Sequence, residues 1–432
     1  MNSVWTETAR KPRFESLKED LKTDVLIIGG GMAGILCACE LQKAGVDYIL
    51  AERDEICCGI TKNTTAKITS QHGLIYHGLI KKFGVEKARA YLEANESAKE
   101  KYCLMAKDIA CDFEEKPSFV YSINDRRKIE DELRALEKIG FSAKFTSDVP
   151  LPFSISGAVE FERQAQFNPL KFAYAVAKGL RIFEHSPVTE IFPKLATVNG
   201  HKVKAEKIIF ATHFPFVDRY GLYFLKMYQH RSYVLALKNA PNIKGMYVDD
   251  DKKGLSFRNY GELLLLGGGS HRTGERGGNW KELDEFANEN YKNSETAYKW
   301  ATQDCMTLDG VAYVGQYSPS TPSWYVATGF NKWGMTTSFV AAEIIRDMIL
   351  DKKNQYSELF SPSRSVLHRQ LFINSVKTVF NFLTPTAPRC SHLGCALKYN
   401  RAEHSWDCPC HGSRFDENKK LIDNPATRDI KS

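Results

Sequence analysis

The chain has 432 residues, of which 43% are hydrophobic and 26% are charged, close to the average composition of a globular protein. That length allows two or three domains and a sizeable buried core. The net charge of +7 is small for the length and no long Lys/Arg run is present, so nucleic acid and membrane surfaces are not expected partners. The polar segment 1–22 lacks the apolar stretch of a signal peptide, and no apolar run is long enough to predict a membrane-spanning helix. We therefore expect a cytoplasmic protein.

The first predicted elements form a βαβ unit. Asp24–Ile28 is an apolar run typical of a buried strand, and Asp47–Ala51 is a second one. Met32–Ala44, between them, predicts a helix that ends at Gly45. Elements in this order are typical of the start of an α/β domain.

A glycine fingerprint, GxGxxG, lies at the turn between the first strand and the helix. Gly29 permits the tight turn, Gly31 leaves room for a pyrophosphate, and Gly34 lets the helix approach the sheet. The free N–H groups at the helix N-terminus attract the anion. Glu52, at the end of the second strand, can accept hydrogen bonds from ribose hydroxyls. This context predicts a bound dinucleotide, and a glycine turn without a ligand is the alternative.

Later segments alternate between helix and strand patterns. Predicted helices cover 86–115, 126–139, Pro169–Lys178 and Ser338–Leu350, and predicted strands cover Phe153–Phe161, Val203–Ala211, Tyr233–Leu237 and Leu263–Leu266. The alternating segments of 231–270 indicate an antiparallel sheet inserted into an α/β body. The apolar stretch Val366–Leu383 predicts a connector helix that ends in a proline-rich hinge.

Three further segments indicate which dinucleotide is bound. They are the polar loop Cys58–Lys67, the stretch Asp309–Gly315 and the turn Ala327–Thr337, which leads into an apolar helix. At these residues, and over about 20–350, the chain resembles the D-amino-acid oxidase/glycine oxidase superfamily of FAD enzymes. The resemblance implies a Rossmann-like α/β FAD-binding domain with an inserted α+β substrate domain.

The same resemblance implies where the FAD lies. The turn at Gly329 and Gly334–Thr336 would lie against the flavin, where the helix dipole favours the negative charge of reduced flavin, and a plain helix N-cap is the alternative. Thr61–Lys67 would line the isoalloxazine, Val188–Glu190 would approach the adenine, and Ala211–Thr212 would end the strand beneath the cofactor. The predicted FAD-binding residues are Gly29, Gly31, Gly34, Glu52, Arg53, Gly59, Thr61, Thr64, Thr65, Val188, Gly329, Gly334, Met335 and Thr336.

Four of the eleven cysteines crowd together near the C-terminus. Cys390 and His392 form one short box, and Cys408 and His411 form a second. A Rieske [2Fe–2S] centre needs two thiolates on one iron and two imidazoles on the other, which this set can supply. Zinc also takes two cysteines and two histidines, although zinc fingers usually pair Cys with Cys and His with His. Zinc, and a relic without a cluster, are the alternatives.

The two boxes read Cys-Ser-His-Leu-Gly-Cys and Cys-Pro-Cys-His-Gly-Ser, and they resemble those of Rieske iron–sulfur proteins. The ligands that this resemblance implies for one [2Fe–2S] cluster are Cys390, His392, Cys408 and His411. It also implies a disulfide between Cys395 and Cys410, as in the respiratory-chain branch, although cytoplasmic thiols are usually reduced. The small β module, 386–432, is shorter than the family's domains, so we expect the flavoprotein body to shield the cluster.

The substrate-binding residues are less well defined by the sequence. The candidates are Arg231, Tyr233, Arg258, His271 and Arg272, of which Arg231, Arg258 and His271 are the predicted catalytic residues. Arg231 and Arg258 can hold a carboxylate bidentately. Gly267–His271 predicts a loop that approaches the flavin ring. For each candidate a structural or surface role is the alternative. His72, which follows the predicted flavin loop, either orients the flavin or is a polar residue whose hydrogen bonds are satisfied within the protein.

The sequence thus predicts an FAD-dependent oxidoreductase that acts on an amine or amino acid. Electrons would pass from FAD to the cluster and on to an external acceptor, with a redox protein as one candidate. An oxygen-using amine oxidase with a vestigial cluster and a redox sensor without turnover are the rival hypotheses. The predicted domains are FAD-binding (20–85, 150–215 and 300–352), substrate (86–149 and 216–299), connector (353–385) and Rieske (386–432).

Overall fold

A computed structural model describes residues 2–251, 254–364 and 388–430. Its helices are α1 (Val4–Thr8), α2 (Met32–Lys43), α3 (Tyr76–Phe83), α4 (Val85–Ala106), α5 (Arg126–Lys138), α6 (Pro169–Ala177), α7 (Tyr223–Lys226), α8 (Asn279–Asn290), α9 (Gly334–Ile349) and α10 (Ser357–Phe360), with a 3-10 turn at Ile60–Asn63. Its first strands are β1 (Leu21–Ile28), β2 (Tyr48–Ala51), β3 (Lys67–Ile68), β4 (Glu114–Ser122), β5 (Lys144–Thr146), β6 (Gly157–Gln166), β7 (Ile182–Phe183), β8 (Val188–Phe192), β9 (Leu195–Val198) and β10 (His201–Phe210). The later strands are β11 (Met227–Lys238), β12 (Met246–Asp249), β13 (Ser256–Tyr260), β14 (Leu263–Arg272), β15 (Glu295–Thr307), β16 (Tyr313–Gln316), β17 (Trp324–Thr328), β18 (Lys398–Asn400), β19 (Ser405–Asp407), β20 (Arg414–Asp416) and β21 (Leu421–Asp423).

The first sheet carries the predicted βαβ unit. Its order within the described residues is β16-β17-β10-β1-β2-β7, with the β8–β9 hairpin attached to β10. β1 pairs in parallel with both β2 and β10. Parallel strands covered on both faces are apolar along most of their length, and Val25–Ile28 is buried, with α2 packed against β1. The carboxyl ends of β1, β10 and β17 meet at one edge, where α/β sheets bind ligands.

The second sheet is the predicted inserted antiparallel sheet. Its order is β15-β11-β14-β13-β12-β4-β6-β3, with β5 attached to β6. β6 belongs to this sheet because it pairs with β4 along most of its length, whereas the predicted boundaries put 150–215 in the FAD-binding domain. The domain boundaries themselves stay a prediction.

The glycine run at 267–269 lies inside strand β14, not in the loop that the sequence predicts. Gly267 pairs with β11 on one side and β13 on the other, and Gly268 pairs with β11. A Cβ at Gly267 would lie 2.6 Å from the Ser256 hydroxyl, and one at Gly269 would lie 2.3 Å from the Asn279 carbonyl oxygen. The glycines therefore allow close packing within a sheet.

The third sheet, β18-β19-β20-β21, forms the C-terminal β module. Its apolar core is small and consists mainly of the four clustered cysteines with Leu397, Phe415 and Ala426. A core of this size is marginal by itself, which agrees with the expected dependence on the body.

Other predicted elements are found with shifted ends. The helix predicted over 86–115 ends at Ala106, because the chain from Glu114 pairs with β6 as strand β4. The predicted helix Val366–Leu383 lies outside the described residues. Within the described ranges no helix combines the length and apolar character needed to cross a membrane. The cytoplasmic location stays a prediction.

Candidate functional site

Each of the three fingerprint glycines is a glycine for a different structural reason. Gly29 has a φ of +107°, and a Cβ there would lie 2.6 Å from the Ala211 carbonyl oxygen. A Cβ on Gly34 would lie 1.9 Å from the Gly29 carbonyl oxygen, so this glycine lets α2 approach the sheet, as predicted. Around Gly31 the nearest atom to such a Cβ is the Thr61 hydroxyl at 3.5 Å. Packing of the chain therefore does not require a glycine at 31. This is expected if the open space beside Gly31 is kept for a ligand.

The fingerprint opens into a cavity of about 1550 Å³. The predicted FAD-binding residues that line it are Gly29, Gly31, Glu52, Arg53, Gly59, Thr61, Thr64, Thr65, Val188, Gly329, Gly334 and Met335. Gly34 and Thr336 lie behind its wall, and the Thr336 hydroxyl donates to the Thr69 carbonyl at 3.2 Å. The volume exceeds the roughly 300–1,000 Å³ of most small-ligand pockets, which suits a dinucleotide together with a substrate.

Glu52 lies at the cavity wall beside the glycine fingerprint, and its binding of a ribose stays a prediction. One carboxylate oxygen accepts from the Gly30 N–H at 2.6 Å, and the other accepts from the Asp54 N–H at 2.9 Å. Burial raises the pKa of Glu52, although these backbone donors act against the shift. The carboxylate is thus fixed beside the pyrophosphate turn, and the residues of this region fit FAD.

Strand β11 has two functional faces that the sequence analysis did not separate. Side chains of a strand alternate between its faces. Tyr228, His230 and Ser232 line the cavity and are half-buried. Gln229 and Arg231, which alternate with them, are buried against the C-terminal module, and Arg231 also lines the cavity. The polar residues at both sets of positions were the available signal, but the sequence alone does not say what lies on each face.

Asp304 on β15 is another cavity residue that the sequence analysis missed. It pairs with His230 across the sheet and lines the cavity. Burial raises its pKa to about 6, against the opposing effect of Lys332 and Arg231. The cavity wall therefore contains a carboxylate that is largely ionised at pH 7.

His72 is a satisfied polar residue, the second of its two interpretations. One ring nitrogen lies 2.6 Å from the Tyr91 hydroxyl, and the other lies 2.8 Å from the Thr69 carbonyl oxygen. Burial lowers the pKa of His72 to about 3, so the ring is neutral. It stacks on Trp333, with 4.9 Å between ring centroids, and Trp333 lines the cavity.

The predicted catalytic residues all have partners within the chain. Arg258 is fully buried, and it donates to the Thr65 and Ala66 carbonyls at 2.8 Å each. His271 lies 3.0 Å from the Tyr233 hydroxyl. Arg231 forms a bidentate ion pair with Glu403 of the C-terminal module. Their catalytic role stays a prediction, and the observed contacts are structural.

The two Cys–His boxes form loops of the same design. In the first, the Cys390 N–H donates to the Cys395 carbonyl and the Gly394 N–H donates to the Cys390 carbonyl, both at 2.9 Å. In the second, the Cys408 N–H donates to the Ser413 carbonyl at 2.8 Å, and the Gly412 N–H donates to the Cys408 carbonyl at 2.9 Å. Gly394 and Gly412 have φ values of +76° and +85°, which glycine adopts easily. Each loop turns tightly around its cysteine.

The side chains of these loops fit a Rieske cluster. Cys390 and Cys408 are buried, and the ring nitrogens of His392 and His411 are buried without a hydrogen-bond partner in the described part of the chain. The two imidazoles lie side by side, with centroids 5.0 Å apart. Buried imidazoles without partners are unusual, and iron ligation supplies what they lack. The Sγ atoms of Cys395, Cys408 and Cys410 lie within 4.8 Å of one another, and the Cys395–Cys410 disulfide stays a prediction.

Side chains of the body form hydrogen bonds with the backbone of the second loop. Gln229 Nε2 donates to the His411 carbonyl at 2.9 Å, and Gln303 Nε2 donates to the Gly412 carbonyl at 2.9 Å. Packing is close, since a Cβ on Gly412 would lie 2.5 Å from Gln229 Cβ, and one on Gly274 would lie 2.7 Å from Pro409 Cα. The cluster loop is therefore seated on the second sheet.

Buried charges surround this contact. Glu403 accepts from Arg231 and from Arg414, and Tyr233 donates to it at 3.0 Å. Burial raises the pKa of Glu403, but the two arginines outweigh burial and hold its pKa below the usual value. Arg414 also binds Asp407 and is buried. The module is thus joined to β11 by a paired ionic network.

Comparison with protein families agrees with both halves of the site. The model of the FAD dependent oxidoreductase family matches residues 24–348, most of the chain. The chain belongs to the FAD-dependent oxidoreductase family. A second family model, the Rieske [2Fe-2S] domain, matches residues 362–432, so the likeness begins before the predicted boundary at 386. The cofactors of this FAD-dependent oxidoreductase are FAD and one [2Fe–2S] cluster.

One relative shares the whole architecture. The putative Rieske 2Fe-2S iron-sulfur protein YhfW of Bacillus subtilis is 34% identical over 494 aligned positions, which cover 99% of this chain and 97% of the relative. Among solved structures, glycine oxidase from Geobacillus kaustophilus superposes with a TM-score of 0.67 at 18% identity, over 80% of this chain and 99% of that one. L-proline dehydrogenase from P. horikoshii gives 0.68 at 17% identity, over 81% and 98%. These structures confirm the predicted fold of the oxidoreductase body.

Proposed function

We propose that this oxidoreductase oxidises an amine or amino-acid-like substrate at a CH–NH bond and that electrons pass from FAD through the [2Fe–2S] cluster to an external one-electron acceptor. When bound, FAD supplies a two-electron acceptor for the hydride that leaves the substrate carbon, the cluster supplies a one-electron carrier, and the substrate becomes an imine with release of a proton. The observation that carries the proposal is that strand β11 contacts both cofactor sites.

Strand β11 contributes residues to both sites. Ser232 and its alternating neighbours line the FAD cavity, and Gln229 and Arg231 hold the cluster module. Residues of the module, among them Glu403 and Asp423, also line the cavity. Both histidine side chains of the cluster boxes are buried against the body. This arrangement supports transfer between the cofactors without movement of the module.

The cavity favours an amine without a carboxylate within this substrate class. A substrate carboxylate is usually held by an arginine, but Arg231 is paired with Glu403 and Arg258 with backbone carbonyls. Asp304, by contrast, presents a carboxylate to the cavity, and a carboxylate attracts a cationic amine. We therefore expect cationic amines to be better substrates than the matching α-amino acids.

The test is an anaerobic titration of the holoenzyme, followed by absorbance and EPR. The titrants are pairs of an amine and the α-amino acid that differs from it by the carboxylate. The proposal predicts that an amine bleaches the flavin and that the signal of a reduced Rieske cluster then appears. Amino acids that act as well as the amines would contradict the substrate preference alone.

A pair of cysteine variants separates the rival hypotheses. Cys408→Ser should lose iron and prevent electron delivery to an artificial one-electron acceptor, while Cys103→Ser, at a half-buried cysteine outside the cluster boxes, should behave as the wild type. Fast reoxidation by oxygen that Cys408→Ser leaves unchanged, with no cluster signal in the wild type, would identify an oxidase with a vestigial cluster. A flavin that no amine or amino acid bleaches, beside a reversible cluster signal, would identify a redox sensor.

A further inference from the structure

A loop of the oxidoreductase body reaches from the FAD cavity to a cluster histidine. It follows β10, and its residues Thr212 and Asp218 line the cavity. The Thr212 carbonyl accepts a hydrogen bond from Asn424 of the module. Six residues further on, Asp218 Oδ2 lies 2.7 Å from His392 Nε2. The loop therefore touches the module at two points, and one of them is a predicted iron ligand.

The contact between Asp218 and His392 is largely shielded from solvent. The His392 side chain is 4% exposed and that of Asp218 is 26% exposed. The two atoms are close, but they are not aligned for a hydrogen bond, since both ring nitrogens lack one. When Nδ1 ligates iron, Nε2 carries the N–H, and a small rotation of either side chain then lets Asp218 accept it. Histidine ligands commonly donate their second N–H to a carboxylate, which fixes the ring and makes it a more basic ligand.

The other histidine has no such partner. His411 meets the edge of Phe224, with 5.8 Å between ring centroids, and both of its ring nitrogens are unpaired within the described residues. The two imidazoles on one iron thus have unequal surroundings, and the difference comes from the body. A carboxylate beside one ligand disfavours the additional negative charge of the reduced cluster.

We propose that Asp218 is a positioning residue for His392: it orients the imidazole on the iron and lowers the reduction potential of the cluster. The inference rests on His392 as a cluster ligand, but not on the identity of the substrate or the acceptor. It links the wall of the FAD cavity to the cluster through one side chain, so that docking of the module also sets the properties of the cluster.

The test compares Asp218→Asn with Glu417→Gln in the holoenzyme. Glu417 is an exposed carboxylate of the cluster module whose partners are Tyr399 and His404, so its variant controls for loss of a surface charge. The midpoint potential is measured by a redox titration followed by EPR, and iron, acid-labile sulfide and FAD are quantified. We expect Asp218→Asn to raise the midpoint potential and alter the EPR g-values, and Glu417→Gln to match the wild type.

Each outcome bears on the inference. A potential and g-values for Asp218→Asn that match those of Glu417→Gln would overturn it, whatever the substrate titration shows. Loss of iron with FAD retained would support positioning of His392. If Asp218→Asn does not fold, Asp218→Glu decides, because it keeps the charge but moves the carboxylate: an altered g-tensor supports the inference and unchanged values refute it. Failure of the proposed function is seen separately, as a wild-type cluster that substrate does not reduce.

Discussion

The ion pair between Arg231 and Glu403 offers a quantitative test of how the cluster module is held. Both side chains are nearly inaccessible, 3% and 9% exposed, and they belong to different modules. Removing one partner of a buried pair typically costs about 3–5 kcal/mol, because the other charge stays buried. Glu403→Gln should come near that range, since it leaves the Arg231 guanidinium without its carboxylate. Arg231→Gln should cost less, because Glu403 keeps Arg414.

The assay is a double-mutant cycle on the holoenzyme in urea, with the cluster's visible absorbance reporting the module and flavin fluorescence reporting the body. Two probes are needed because a multidomain protein need not unfold in one step. We expect a coupling free energy of at least about 1.5 kcal/mol in the module's transition at pH 7. The folded-state pKa of Glu403 is lowered, so its contribution is present above the unfolded-state pKa and is lost as the pH falls through the folded value.

A matched exposed pair supplies the control. Lys144 and Glu162 are 60% and 56% exposed, and such pairs couple by about 0–1 kcal/mol. A coupling for Arg231 and Glu403 no larger than this control would refute the reasoning, because it would mean that the contact is not desolvated in solution.

Three further changes test other parts of the structure. Gly412→Ala should lower iron content and the module's unfolding midpoint, because the new Cβ would clash with Gln229. Gly200→Ala, at a glycine with a similar φ and open space around it, should show the cost of backbone strain alone. Equal effects of the two variants would contradict the close packing of the cluster loop on Gln229. Gly31→Ala should weaken FAD binding by roughly tenfold or more while the apoprotein fold stays unchanged. The affinity is measured by fluorescence titration, and an affinity equal to that of the wild type would contradict the proposal that the space beside Gly31 holds the pyrophosphate. Burial, with Arg258 nearby, lowers the pKa of Lys67 to about 7. Lys67→Met should therefore stabilise the apoprotein at or below pH 7 by up to about 4 kcal/mol. The gain should shrink as the pH rises from 7 towards the unfolded-state pKa of about 10.4, because the folded wild-type lysine is then already neutral. Urea midpoints that show a gain rising with pH would exclude this.

The parts of the site that the sequence predicts are those encoded by short stretches of chain. The fingerprint at Gly29–Gly34 and the boxes around Cys390 and Cys408 are local turns whose residue types are dictated by backbone conformation and ligand chemistry. Part of β11 was also predicted, as the alternating segment Tyr233–Leu237, because side-chain direction in a strand follows from sequence position. For these features the neighbours in sequence are the neighbours in space.

What only the tertiary structure decided is which distant groups meet. Arg231 pairs with Glu403, which lies 172 positions away in the sequence, and Gln229 donates to the His411 carbonyl, 182 positions away. No local pattern distinguishes an arginine that binds a substrate from one that binds the next module, so the sequence put Arg231 and Arg258 in the substrate site. The contact between Asp218 and His392 depends on the seating of one sheet against another. By itself the sequence determined the two cofactors and the local loops that hold them. The packing of the sheets decided that one strand contacts both sites and that a carboxylate of the body faces a predicted iron ligand.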